Sequence, residues 1–234
     1  MQVEIFADPD HVAVEAARFV AAQARDAVDM RGRFVMAVSG GKTPWTMLRA
    51  LANESVPWKE VHVVQVDERV APAGDADRNL THLTQSLLDH APLPPEQIHA
   101  MPVENPDLEA GASAYAETLA QVAGTPPILD LAHLGLGPDG HTASLVPNDP
   151  VLDVDDRDVA LAGEYQGHRR MTLTYPMLNR ARRILWLTTG QSKITMLPRL
   201  LAADASIPAG RVEQSRATLF ADRAAAELLP KTST

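Results

Sequence analysis

The sequence predicts an α/β fold: a three-layer, Rossmann-like domain with a mostly parallel sheet covered by helices on both faces. Three observations carry this. Strand-like and helix-like stretches alternate along the chain. Stretches such as "VHVVQVDE" (61–68) and "ILDLAHLGLG" (128–137) are near-continuous apolar runs, the pattern of strands covered on both faces. Polar, glycine-containing clusters recur directly after strands, where an open parallel sheet presents its ligand edge.

The elements follow in order. "VEIFAD" (3–8) reads as a strand. A helix over 9–28 is opened by Asp8 as N-cap and Pro9 in the first turn. "RFVMAVSGG" (33–41) is a strand ending in glycines, and a helix over 44–53 begins at Pro44 with Thr43 as its cap. After the strand 61–68 come helices over 79–90 and 107–123, then the strand 128–137. Further strand-like stretches run over 158–165, 170–179 and 183–190. A helix over 192–204 is kinked or shortened by Pro198, and 216–229 reads as a short strand running into a helix. The proline-rich segments 91–97 and 124–129 are too short for domain linkers, so a single domain over 1–234 is expected.

Composition narrows the function. The chain has no cysteine, which rules out disulfides and thiolate metal sites. The amino-terminal stretch lacks the basic-then-apolar pattern of a signal peptide, and no apolar run approaches the roughly 18 residues of a membrane span. A soluble, cytoplasmic protein is expected, with no membrane partner. A formal net charge of -9 argues against a nucleic-acid surface. It leaves open a small anion, provided cations and N–H groups are concentrated locally.

Four stretches carry candidate chemistry. In "SGGKTP", Gly40 and Gly41 let the backbone approach an anion, and Ser39, Lys42 and Thr43 add donors beside a helix start. The spacing is not that of a Walker loop, and a plain polar strand-to-helix turn reads equally well. "VDERVAP" places Asp67, Glu68 and Arg69 at a strand end, either as a self-neutralising ion pair or as an orienting Asp and an anion-holding Arg. "GLGPDGHTASLVP" (135–147) contains Asp139 and His141 in a glycine-rich strand exit, a pattern suited to general acid–base work more than to structural burial. His133 lies on the preceding buried strand, and no metal-ligand spacing is present. In the basic run 169–183, most arginines read as a solvated face, with Arg170 able to reach an anion. Lys193 follows another strand end.

Taken together, "SGGKTP", "VDERVAP", "GLGPDGHTASLVP", "RMTLTYPMLN" and "LTTGQSK" resemble the 6-phosphogluconolactonase family in order and spacing, over essentially the whole chain. The related glucosamine-6-phosphate deaminases share "SGGxTP". Arg69 stands where they carry Tyr, and 142–145 reads Thr-Ala-Ser-Leu where they carry Ile-Ala-Phe-Asn. Pro138, Val146 and Lys42 depart from residues common among the lactonases.

The resemblance implies a hydrolase that opens 6-phospho-D-glucono-1,5-lactone to 6-phosphogluconate in the oxidative pentose phosphate pathway. It implies no cofactor and no obligatory metal. His141 is expected as the acid–base residue, with Asp67 or Asp139 orienting it. The phosphate is expected on Ser39, Gly40, Gly41, Lys42 and Thr43, with Arg69, Arg170 and Lys193 as charge partners. The alternatives are a glucosamine-6-phosphate deaminase or a non-catalytic sugar-phosphate sensor. A monomer or weak homo-oligomer is expected.

Overall fold

The computed structural model describes residues 1–230 and has the α/β architecture that the alternating pattern predicts. Local rules place the first elements. After strand β1 (Gln2–Phe6), the Asp8 side chain accepts from the His11 N–H and Pro9 opens helix α1 (Pro9–Arg31). That helix ends at Gly32, in the left-handed region at φ 74, whose N–H reaches the Val28 carbonyl. Its buried stripe is almost all alanine and valine, from Val12 and Ala13 through Ala24 and Ala27. Small side chains let a long helix lie close against the sheet.

The remaining main strands are β2 (Phe34–Val38), β3 (Val61–Gln65), β5 (Ile98–His99), β6 (Leu131–Gly135), β9 (Ile184–Thr188) and β10 (Ala217–Asp222), and β4 is described below. With β1 they form a parallel seven-stranded sheet in the order β1-β10-β9-β6-β2-β3-β5. From β2 the chain moves outward through β3 to β5, then returns to the other side of β2 at β6. The strand order therefore reverses between β2 and β6, and the loops leaving their carboxyl ends splay apart to form a crevice.

Alternate strand residues feed two cores. Phe34, Met36, Val38, Val63, Leu185 and Phe220 pack with α1, α2 (Lys42–Leu51) and α3 (Asn79–Leu83). Val35, Ala37, Val64, Leu134, Trp186 and Leu219 pack on the opposite face with α4 (Leu108–Ala123) and with residues from a second, smaller sheet. This second sheet is antiparallel, in the order β4 (Asp67–Arg69), β8 (His168–Leu173), β7 (Val159–Tyr165). Helices α5 (Tyr175–Asn179) and α6 (Met196–Leu201) complete that face.

Several expectations are corrected. The strand expected over 61–68 splits at Val66, whose N–H bonds the Val38 carbonyl of β2 while its own carbonyl accepts from the Leu173 N–H of β8. Val66 is thus the branch point where the chain changes sheets, which continuous hydrophobicity conceals. Helix α2 starts at Lys42 with Gly41 as N-cap, and Thr43 lies inside it. The helix expected over 192–204 reduces to a 3-10 turn, Gln191–Lys193, and the short α6, because Pro198 has no N–H for the preceding turn. After β10 the chain forms turns rather than a helix. The Asp222 carboxylate caps the Gly190 and Ala225 N–H groups, and the few residues before Pro230 are too short to propagate a helix. The 170–179 stretch is a strand only to Leu173, since Tyr175 and Pro176 open α5. The two-residue strand β5 was missed. No helix among the described residues is long and apolar enough to cross a membrane.

Candidate active site

A cavity of ≈ 450 Å³ sits on the crevice between β2 and β6. Ser39, Gly40, Gly41, Lys42, Thr43, Asp67, Arg69, His141, Arg170 and Lys193 all line it. Asp139 stands behind His141 rather than on the wall. Stretches more than 150 residues apart thus meet because each follows or flanks a strand end at one edge.

The β2 exit is held from below. His133 on β6 is buried, and its Nδ1 accepts from the Ser39 N–H at 3.3 Å while the Ser39 hydroxyl donates to the His133 carbonyl at 2.9 Å. Accepting at Nδ1 places the imidazole proton on Nε2. Burial pushes His133 down to about 4, so the ring stays neutral. Gly40 and Gly41 then lead into α2. Gly41 has φ 128 and the helix has no side-chain cap, so its first N–H groups are left for a ligand. Thr43 Oγ1 and Thr189 Oγ1 lie 2.5 Å apart and tie this turn to the end of β9.

The β6 exit supplies a coupled aspartate and histidine. His141 Nδ1 lies 2.5 Å from Asp139 Oδ1, and the His141 N–H donates to the same carboxylate at 3.1 Å. Burial alone would raise Asp139. The charge and hydrogen bonds of His141, with a hydrogen bond from the Tyr165 hydroxyl, outweigh it and hold the carboxyl below its ordinary range. Nδ1 committed to a carboxylate leaves Nε2 as the free ring nitrogen, the tautomer of a base.

Asp67 is engaged elsewhere. It is buried and accepts from the Ser144 hydroxyl at 2.6 Å, with Asn79 Nδ2 at 3.4 Å and Arg170 Nη1 at 3.9 Å. Burial pushes its carboxyl up, opposed by Ser144, Arg69 and Arg170. Of the two aspartates considered for orienting His141, Asp139 makes the bond. Neighbouring Glu68 makes no side-chain ion pair with Arg69, so the self-neutralising pair that was one of the two readings of this stretch is not formed by it. Fully buried, it accepts from Gln65 Nε2 and from the N–H groups of Arg69, Asn79 and Leu80, with Arg78 Nε 3.3 Å away.

Four cations face the crevice: Lys42 from α2, Arg69 from β4, Arg170 from β8 and Lys193 from the turn after β9. Arg170 on β8 is only 4% exposed, and burial plus the adjacent Arg69 pull it below its ordinary value, with Asp67 opposing. Lys193 after β9 is likewise lowered by burial, partly offset by the charge of Asp139. Desolvated cations beside free helix N–H groups suit an anion. Among the described residues, no group of three or more His, Asp or Glu side chains is placed to hold a metal ion.

Sequence reasoning missed Asn79, Tyr165 and Thr189 on the wall, and Ser144 beneath it. Ser144 lay within a quoted motif. Asn79 and Tyr165 carried no local signal, because only the tertiary fold brings them to the crevice.

A family model described as glucosamine-6-phosphate isomerases/6-phosphogluconolactonase matches residues 7–221. The chain belongs to this family. The matched span contains every cavity-lining stretch named above. A 6-phosphogluconolactonase from Synechocystis is 38% identical over 208 residues, covering 87% of this chain and 86% of that protein. One from Mycobacterium tuberculosis is 34% identical over 242 residues, covering 97% and 98%. The solved 6-phosphogluconolactonase of Thermotoga maritima superposes with a TM-score of 0.84 at 25% identity, covering 94% of this chain and 98% of that one. A monomeric glucosamine-6-phosphate deaminase superposes equally well, with a TM-score of 0.84 at 21% identity over 97% and 100% of the two chains. The isomerase/lactonase fold therefore does not choose between the two reactions, and the site must.

Proposed function

We propose that this chain hydrolyses 6-phospho-D-glucono-1,5-lactone to 6-phospho-D-gluconate, the lactone-opening step of the oxidative pentose phosphate pathway. The observation that carries this reading is the Asp139–His141 couple on the same cavity as the uncapped first turn of α2 and the Arg170 and Lys193 cations. The lactonase names of relatives above 30% identity support it. Arg69 in place of the deaminases' tyrosine also favours the lactonase.

The reaction needs little from the protein beyond positioning and one proton shuttle. The 6-phosphate lies on the 40–43 loop against Arg170 and Lys193, which holds the ring with C1 towards His141. His141 Nε2 takes a proton as water attacks C1, forming the new C–O bond. Asp139 stabilises the resulting imidazolium. Breaking the bond from C1 to the ring oxygen then returns that proton to the leaving oxygen. The water therefore ends divided between carboxyl and hydroxyl, and His141 is regenerated.

The test generates the lactone in place from glucose 6-phosphate with its dehydrogenase and follows 6-phosphogluconate, subtracting spontaneous hydrolysis. The protein should accelerate the reaction, and His141→Ala should lose about 10²–10⁴-fold in kcat. No acceleration over background, or ammonia release from glucosamine 6-phosphate, would overturn the reading.

A further inference from the structure

Tyr165 contacts both halves of the site, yet the chemistry above does not use it. It is the last residue of β7, and the two-residue turn to β8 has Gln166 at φ 52 and Gly167 at φ 81. Two successive left-handed residues match the twist of a tight hairpin, so the tip is a rigid projection of the antiparallel sheet. It brings Tyr165 over the loop that follows β6.

We propose that Tyr165 is a positioning residue that sets both the basicity of His141 and the placement of Arg170. This rests on reading His141 as the base. The hydroxyl donates to Asp139 Oδ2 at 3.0 Å, while Asp139 Oδ1 holds His141 Nδ1. The same hydroxyl lies 3.4 Å from that nitrogen, and the phenol ring packs edge-on against the imidazole at 5.2 Å. On its other side, the Tyr165 carbonyl accepts from Arg170 Nε at 3.3 Å and Nη2 at 3.1 Å. The guanidinium carbon also sits 5.2 Å from the ring centroid.

The two contacts do different work. A hydroxyl bonded to Oδ2 draws charge from the carboxylate, so Asp139 attracts the Nδ1 proton less strongly and the imidazole is less basic. Burial and the Asp139 charge keep the phenol protonated, and hence a donor. The other charged groups on this cavity are Arg170 from β8, Asp67 and Arg69 from β4, Lys42 from α2 and Lys193 beyond β9. All of them remain when only the hydroxyl is removed. The ring and carbonyl, by contrast, steer Arg170 and do not need the hydroxyl.

Two variants separate the roles. Tyr165→Phe should move the acidic limb of the kcat/KM profile to higher pH by roughly half a unit to one unit, the size of one ordinary hydrogen bond on a titration scale. KM should change little. Tyr165→Ala should show the same pH shift and also raise KM for the phosphorylated lactone several-fold. Independently of activity, the His141 ring proton, assigned by its loss in His141→Ala, is titrated by NMR, and its midpoint should rise in Tyr165→Phe. An unmoved midpoint in that variant overturns the proposal. A moved midpoint in a protein that does not open the lactone upholds the positioning role and defeats only the functional reading.

Discussion

Gly137 and His141 are in direct contact: a Cβ built on Gly137 would stand 2.1 Å from His141 Nδ1 and 2.3 Å from Cε1. The Gly137 N–H donates to the His141 carbonyl at 2.8 Å, and the Gly140 N–H donates to the Gly137 carbonyl at 3.1 Å. The loop therefore folds back on itself, with a glycine as the floor beneath the imidazole. Gly137→Ala should force the ring off Asp139 and lower kcat into the same 10²–10⁴-fold range as His141→Ala. More than half of wild-type turnover in Gly137→Ala would show that the ring does not need this floor.

Lys193 offers a second test, of the phosphate site. A charge-assisted hydrogen bond to phosphate is worth about 1.5–3 kcal/mol, or roughly 10–100-fold in binding. Lys193→Met keeps most of the half-buried stem and removes the charge. KM should rise by that factor for the phosphorylated lactone and hardly at all for unphosphorylated gluconolactone. Equal rises for both substrates would place Lys193 at the reacting end instead.

Glu68 should matter for folding. Its two oxygens face donors only: one amide side chain, three backbone N–H groups and the Arg78 guanidinium. Glu68→Gln turns one acceptor into a donor aimed at donors, at a fully buried position. A loss of about 2–4 kcal/mol in urea unfolding is expected. Because Glu68 pins the start of α3, and so Asn79 beside Gly40, turnover should fall in parallel. An unfolding free energy within about 0.5 kcal/mol of wild type, the range of an ordinary surface change, would refute this.

How much of this was readable before folding varies with distance along the chain. Asp8 and Pro9 open α1 by rules acting within a few residues, and these were legible; its end at Gly32 was not, since the helix was expected to stop at residue 28. The Ser39–Thr43, Asp67–Arg69 and Asp139–His141 stretches were legible as polar strand exits because parallel-sheet geometry sends such exits to one edge. Their partners were not. Nothing near Asn79 announces that it stands over Gly40, where a Cβ would meet its Oδ1 at 2.0 Å. Nothing near Tyr165 announces Asp139, 26 residues away in the loop that follows β6. The split at Val66 was invisible for a related reason: a residue shared by two sheets is as apolar as one in the middle of a strand.

His133 makes the acid response of the fold testable. It is buried and depressed to about 4 from an ordinary 6.5. Below 6.5 the unfolded chain takes up a proton that the folded chain excludes until about 4, so the folded state carries this stability in full above 6.5 and loses it as pH falls towards 4. Between pH 7.5 and 4.5 the loss from this residue alone is about 2–3 kcal/mol. His133→Asn retains an acceptor for the Ser39 N–H but cannot titrate. It should be less stable than wild type at pH 7.5, having lost ring packing, yet decline less steeply, so that the two unfolding free energies converge on acidification. Every other titrating group is common to both proteins and cancels in the difference. Parallel curves from pH 7.5 to 4.5 would mean that the folded protein already admits the proton at His133, and that the ring beneath the Ser39 turn is not held neutral.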